Sequence, residues 1–148
     1  MIKAVIDANV FVSATLIEGT PPAQIIDAWQ DGKFELITSA SIIKEIKRVI
    51  YYPKVRRRSP YSEKEIEELL ALLERKSTRT PEELKLEIVK TDPADDKYII
   101  AAVESKADYI ISGDSHLKNL GNYEGIKIIL PSEFVKILSE FEHGRSEK

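Results

Sequence analysis

Met1-Ile2-Lys3-Ala4-Val5-Ile6-Asp7 is the stretch whose reading decides the fold. Only Lys3 breaks its apolar run, and such near-continuity marks a strand covered on both faces, as in a parallel sheet. The run ends on a carboxylate. The pattern recurs downstream, where Tyr109-Ile110-Ile111-Ser112-Gly113 is followed by Asp114. In an open parallel sheet, sites form beyond the carboxyl ends of the strands. Two more acids join these: Asp96 opens the apparent helix Asp95–Ser105, and Glu45 lies one turn inside another. Acids that converge repel one another unless a cation holds them. Asp7, Glu45, Asp96 and Asp114 therefore predict a metal site.

Between these acids, strand and helix patterns alternate. Thr20-Pro21-Pro22 starts a helix with Thr20 as its cap and Ile25, Ile26 and Trp29 on the apolar face; Asp31-Gly32 ends it. Phe34–Thr38 reads as the second strand. Ser39 caps the next helix, whose stripe is Ile42, Ile43, Ile46, Val49 and Ile50. Glu45 falls on the margin of that stripe, roughly 60° from Ile42 at about 100° per residue. Pro53 stops this helix, and Pro53–Pro60 reads as an irregular basic loop. Ser62-Glu63-Lys64-Glu65 is a capping box opening a Leu-rich helix. Leu86–Val89 is the expected third strand, Tyr109–Ser112 the fourth and Lys127–Leu130 the fifth. Ser132 caps a final helix. Five short strands joined by helices predict an α/β fold, a five-stranded parallel sheet flanked by helices on both faces. Residues 1–142 are expected to form a single domain, with 143–148 a polar tail.

Composition narrows the chemistry. The 148 residues fit one domain with a real core. Without cysteine there are no disulfides or thiolate metal sites, and the expected location is intracellular and cytoplasmic. The two histidines, His116 and His143, are too few for a His-rich zinc centre. Oxygen ligands favour Mg²⁺ or Mn²⁺. No apolar stretch approaches membrane-spanning length. The net charge of −3 hides an asymmetry: from Lys44 to Arg58, seven basic residues face one acid, Glu45. Within that run Lys47, Arg48, Arg56, Arg57 and Arg58, with Tyr51, Tyr52 and Tyr61 nearby, are candidates for RNA phosphate contacts and base stacking. A solvated loop or a dimer contact fits that run equally well.

Three strings, Val5-Ile6-Asp7-Ala8-Asn9-Val10-Phe11, Asp92-Pro93-Ala94-Asp95-Asp96-Lys97-Tyr98-Ile99 and Ile110-Ile111-Ser112-Gly113-Asp114, together resemble a PIN domain. That family comprises metal-dependent ribonucleases, including VapC-like toxins of toxin–antitoxin pairs. The resemblance spans roughly Ile2 to Leu138, and its details are closest to the subgroup of toxin components sharing the Asp-Pro-x-Asp-Asp-Lys string. It implies that Asp7, Glu45, Asp96 and Asp114 form the acidic quartet, with Asn9 and Ser112 as accompanying polar positions. It also implies hydrolysis of single-stranded RNA to 5′-phosphate and 3′-hydroxyl ends, one or two Mg²⁺ or Mn²⁺ ions, a homodimer and a small antitoxin partner. His116 stands where the family often carries a further acid. Asp95 and Asp92 are candidate substitutes, and a single tightly held metal is the other outcome.

As chemistry, Asp7 and Asp96 are expected as primary ligands, with Asp114 as ligand or second-metal anchor. Glu45 binds through water or orients the attacking water as a base. Structural duty is the competing reading for each: Asp7 as a loop cap, Asp96 as a helix-start acid, Asp114 as a turn residue, Glu45 as a surface acid. The competing function is a catalytically silent PIN-like domain that binds RNA or acts as a scaffold. A phosphatase of the haloacid-dehalogenase type would need Asp and Thr where Asn9 and Phe11 stand. A receiver domain would need a late-strand lysine, for which Lys118 is poorly placed.

Overall fold

The structure, a computed structural model, describes residues 1–84 and 95–146. The expected strand Leu86–Val89 and Asp92 lie outside the described residues, as do the side chains of His116 and His143. The elements run β1 (Lys3–Ile6), α1 (Ala8–Ser13), α2 (Pro21–Gln30), β2 (Glu35–Ser39), α3 (Ala40–Ile50), α4 (Pro53–Arg58), α5 (Glu63–Lys76) and β3 (Thr78–Thr80). After the gap come α6 (Asp96–Ser105), β4 (Tyr109–Ile111), α7 (Ser115–Leu120), β5 (Asn122–Tyr123), β6 (Ile126–Ile129) and α8 (Pro131–Ser146).

Among the described residues six strands form the sheet rather than five, in the order β3-β2-β1-β4-β6-β5. The first five in that order are parallel: Ala4 pairs with Leu36 on one side and Tyr109 on the other, and Ile110 pairs with Ile128. β1 is central, and Ala4, Val5 and Ile6 are all buried although successive side chains point to opposite faces. Helices thus cover both faces, with α1, α3 and α6 packing together and α2 packing on α8. The added strand, β5, runs antiparallel to β6 through the two-residue turn Glu124-Gly125, both at positive φ (50° and 88°). That is the hairpin geometry glycine serves, and Asn122 Oδ1 accepts the Gly125 N–H at 3.1 Å.

The third strand described is Thr78–Thr80, an edge strand beside β2 with two of its three residues exposed. Exposure at the edge removes the apolar signal by which a strand is read. The stretch expected to be a basic loop holds the helix α4. Pro53 ends α3, yet as the first residue of α4 its missing N–H costs nothing and its φ is already helical. Ser39 caps α3 as expected, its Oγ accepting from Ile42 N at 3.3 Å. The capping box of α5 is complete: Glu65 N donates to Ser62 Oγ at 3.1 Å and Ser62 N to Glu65 Oε1 at 2.9 Å. Thr20 precedes α2, but its hydroxyl donates to Ile17 O instead of capping. Pro21 and Pro22 leave two fewer N–H groups there to satisfy. The last helix begins at Pro131, two residues before the start expected after a Ser132 cap, so Ser132 lies inside the helix, which continues to Ser146.

Candidate active site

The chain leaves β1 at Asp7 and turns at once into α1. Asp7 N still donates to Ile111 O at 3.0 Å, carrying the pairing with β4 one residue past the strand. Its side chain then caps α1, with Oδ1 accepting from Asn9 N at 2.9 Å. The other oxygen, Oδ2, accepts the hydroxyl proton of Ser112 at 2.8 Å. Asp7 is only 3% exposed. Burial pushes its carboxyl above the ordinary aspartate range. The bonds from Asn9 and Ser112 pull the other way, while the charges of Asp114 and Glu45 push it up again. A cation beside this carboxyl would stabilise its charged form.

Ser112 is fully buried beyond the end of β4. The same Oγ that donates to Asp7 accepts from Asp114 N at 2.9 Å. One hydroxyl thus ties together the two acids that follow the two central strands. Asp114 heads α7, its carbonyl accepting from Lys118 N at 2.9 Å and Oδ1 lying 3.4 Å from Leu117 N. The capping reading and the site reading describe the same atoms for Asp7 and Asp114. A cap fixes the carboxylate at the sheet edge.

Glu45 stands at the border of the α3 core stripe with its side chain 23% exposed. Oε2 accepts from the Tyr98 hydroxyl at 3.0 Å and is in contact with the Lys97 ammonium. Oε1 faces Arg48 Nη2 at 3.4 Å. Burial acts to raise its carboxyl, but Lys97, Tyr98 and Arg48 outweigh it and hold the group below the usual glutamate range. Tyr98 is 1% exposed, and its oxygen also accepts from Ala8 N at 3.1 Å. It therefore bridges the residue after Asp7 to Glu45. Burial, then the charge of Asp7, push its phenol far up, so it remains a donor to Glu45. Asp96 is the first residue of α6 and is buried at 7%; Asp95, 9% exposed, precedes it.

The structure brings Asp7, Ser112 and Asp114 into one hydrogen-bonded unit, with Glu45 close enough to bear on the charge of Asp7. Asp96 heads the helix whose next two residues hold Glu45. Asn9 contributes its N–H to Asp7. As the side chains stand, no group of three or more His, Asp or Glu among the described residues could together hold a metal ion. Of the basic candidates, only Arg48 touches an edge acid; its guanidinium also lies over the Tyr52 ring, 5.6 Å from the centroid. Lys47 pairs with Glu74, and the half-buried Arg56 lies 3.4 Å from Tyr61 O. Arg57 and Arg58 are exposed on α4.

Lys97 and Tyr98 are site residues that sequence reasoning passed over. Lys97 had a signal, standing directly after Asp96 in the quoted string. Tyr98 had none, since a tyrosine in an apolar stripe reads as core. A cavity of about 540 Å³ opens at the opposite, amino-terminal edge of the sheet, lined by Lys106, Asp108, Glu124 and Lys127 among others. It contains none of the four acids.

An uncharacterized protein of Methanocaldococcus jannaschii is 33% identical over 148 residues, covering 95% of this chain and 94% of the relative. No helix among the described residues is long and apolar enough to cross a membrane. The family described as PIN domain matches residues 3–116, a span that runs from β1 past Asp114. The chain belongs to the PIN domain family.

Proposed function

We propose that this protein is an endoribonuclease that hydrolyses single-stranded RNA with the help of Mg²⁺ or Mn²⁺. The observation that carries the reading is the Asp7–Ser112–Asp114 unit at the carboxyl edge of the central strands, with Glu45 beside it. Family membership supports a nuclease. The donor chemistry fits a hard divalent cation: four carboxylates, with Asp7 and Asp96 buried and the Asp7 carboxyl pushed up, and no competing thiolate. Asp7, Asp96 and Asp114 would hold one or two ions, with Glu45 bound directly or through water. When bound, such an ion supplies charge neutralisation at the phosphate and a water of lowered pKa.

The protein's own residues do the rest. Ser112 fixes Asp7 and the start of the Asp114 loop, so the two acids keep their separation. Tyr98 fixes Glu45, which is placed to orient a water and take its proton. Arg48 neutralises part of the Glu45 charge and leads towards Tyr52 and α4, where Arg57 and Arg58 would meet the RNA backbone. Asn9 and Asp95 are further polar residues at this edge. We place the protein in the cytoplasm as the toxin of a toxin–antitoxin pair, working as a homodimer and neutralised by a small partner protein. The family resemblance supports that part of the reading.

A silent RNA-binding or scaffolding domain is the second reading. It is favoured by the ammonium already seated on Glu45 and by the lack, among the described residues, of three acids grouped to hold an ion. Incubating the protein with end-labelled single-stranded RNA, Mg²⁺ or Mn²⁺, and EDTA in parallel separates the two. Metal-dependent fragments are expected. Binding without cutting, across varied RNAs and both metals, would favour the silent domain.

A further inference from the structure

Tyr52 is an exposed aromatic ring that the fold holds in place. Its N–H donates to Val49 O at 3.1 Å and its carbonyl accepts from Arg56 N at 2.9 Å, so its backbone is tied to both α3 and α4. Its hydroxyl oxygen accepts from Nη1 of Arg48. The same guanidinium turns Nη2 to Glu45 Oε1 at 3.4 Å. One arginine thus links an edge acid to the tyrosine. Glu45 and Arg48 are neighbours on one side of α3, and Tyr52 follows just beyond its end. The guanidinium carbon lies 5.6 Å from the ring centroid, and Tyr52 remains 41% exposed. A ring so tied has already lost the freedom that an ordinary surface side chain gives up on binding.

We propose that Tyr52 is a base-stacking residue: its exposed ring receives one unpaired base of an RNA strand bound along the basic run of α3 and α4. This rests on the single-stranded RNA reading above and deepens it. Every base has a face to stack, so the contact tolerates any sequence. A duplex cannot make it, because its paired bases are already stacked on one another, whereas the bases of loops and single strands can splay onto an aromatic ring. Lys54, Arg57 and Arg58, all exposed on α4, attract the phosphates of either form. Charge therefore gives affinity for any strand, and Tyr52 gives preference for an unpaired one. The link through Arg48 sets the stacked base beside Glu45.

The test is fluorescence anisotropy of the full-length protein with a labelled single-stranded RNA and with a duplex of the same length, in EDTA so that neither is cut. Tyr52→Ala is expected to weaken single-strand binding about tenfold, the scale of one base stacked on an aromatic ring. Its duplex binding should change by less than about twofold, since the phosphate contacts stay. Tyr52→Phe keeps the ring and should bind the single strand near the wild-type level. A single-strand loss under about twofold in Tyr52→Ala, with a wild type that binds, would overturn this inference and leave the RNA reading standing. An equal loss on both RNAs would also overturn it, because a displaced α4 would then account for the effect. A wild type that binds neither RNA would sink the RNA reading and this inference together. Should Tyr52→Ala fail to fold, Tyr52→Trp decides the matter through its fluorescence. The sole tryptophan of the wild type, Trp29, is buried, so stacking should quench only the introduced indole. No quenching beyond that of wild type at saturating RNA would rule the stack out.

Discussion

The Ser112 hydroxyl lies 2.8 Å from Oδ2 of Asp7 and 2.9 Å from the amide nitrogen of Asp114. Its proton goes to one acid and its lone pair receives the N–H of the other. Ser112→Ala would leave a buried carboxylate oxygen and a backbone N–H without these partners. A loss of about 1–3 kcal/mol in unfolding free energy is expected, read by urea denaturation. Cutting should fall as well, because Asp7 loses the contact that orients it. A loss under about 0.5 kcal/mol, within ordinary surface-mutation scatter, would show that neither partner depends on the hydroxyl.

Asp7 is expected to make the metal-free protein less stable at neutral than at acidic pH. Its carboxyl is raised in the folded state, chiefly by burial. The folded protein thus binds that proton more tightly than the unfolded chain does. Its contribution is fully present below the ordinary aspartate value and is lost as pH rises through the folded value. Asp7→Asn removes this dependence. In EDTA the variant should melt higher than wild type at pH 7, and the gap should narrow on acidification. Thermal melts across pH 4 to 8 check this, and a variant melting lower at pH 7 contradicts it. A site residue that weakens the fold is a familiar trade between stability and activity.

Tyr98→Phe keeps the ring but deletes the donor to Glu45 and the acceptor for Ala8 N. A destabilisation of about 1–2 kcal/mol is expected. Activity should drop through kcat, since the bound water loses its positioned carboxylate while RNA contacts are untouched. Single-turnover kinetics against RNA concentration will show it; a change confined to KM would place Tyr98 in substrate binding instead.

The exposed arginines of α4 should behave differently. Arg57→Ala with Arg58→Ala should leave stability within about 0.5 kcal/mol of wild type. RNA affinity should weaken, and its salt dependence should lessen by about 0.7 in log–log slope for each lost phosphate contact. Lys47→Ala, which breaks the pair with Glu74, should change the slope less. Filter binding at several salt concentrations distinguishes the two, and an unchanged slope in the double variant would remove α4 from the RNA path.

Legibility followed burial and length. β1 and β4 could be read because strands covered on both faces announce themselves as unbroken apolar runs. The same rule hid β3, whose Thr-Arg-Thr sequence sits at an edge with little to bury. Helix α1 is six residues long, with Ala8, Val10, Phe11 and Val12 all buried, so it has neither length nor polar face to show a period. The hairpin that adds β5 depends on positive φ at Glu124 and Gly125, and Glu-Gly is a weak turn signal beside Asn-Gly. At the site, Asp7, Ser112 and Asp114 were legible because strand ends fix where the next side chains go. The Tyr98–Glu45 contact was not, because it joins two helices 53 residues apart. Sequence spacing along one helix carries no information about that pairing.

The most direct test of the central claim compares wild type with Asp7→Asn on end-labelled single-stranded RNA, with Mg²⁺ or Mn²⁺ beside an EDTA control. The account predicts fragments only in wild type with metal, and an Asp7→Asn protein that is folded but inert. Cutting that persists in EDTA or in folded Asp7→Asn would contradict it, as would a wild type that cuts no RNA with either ion.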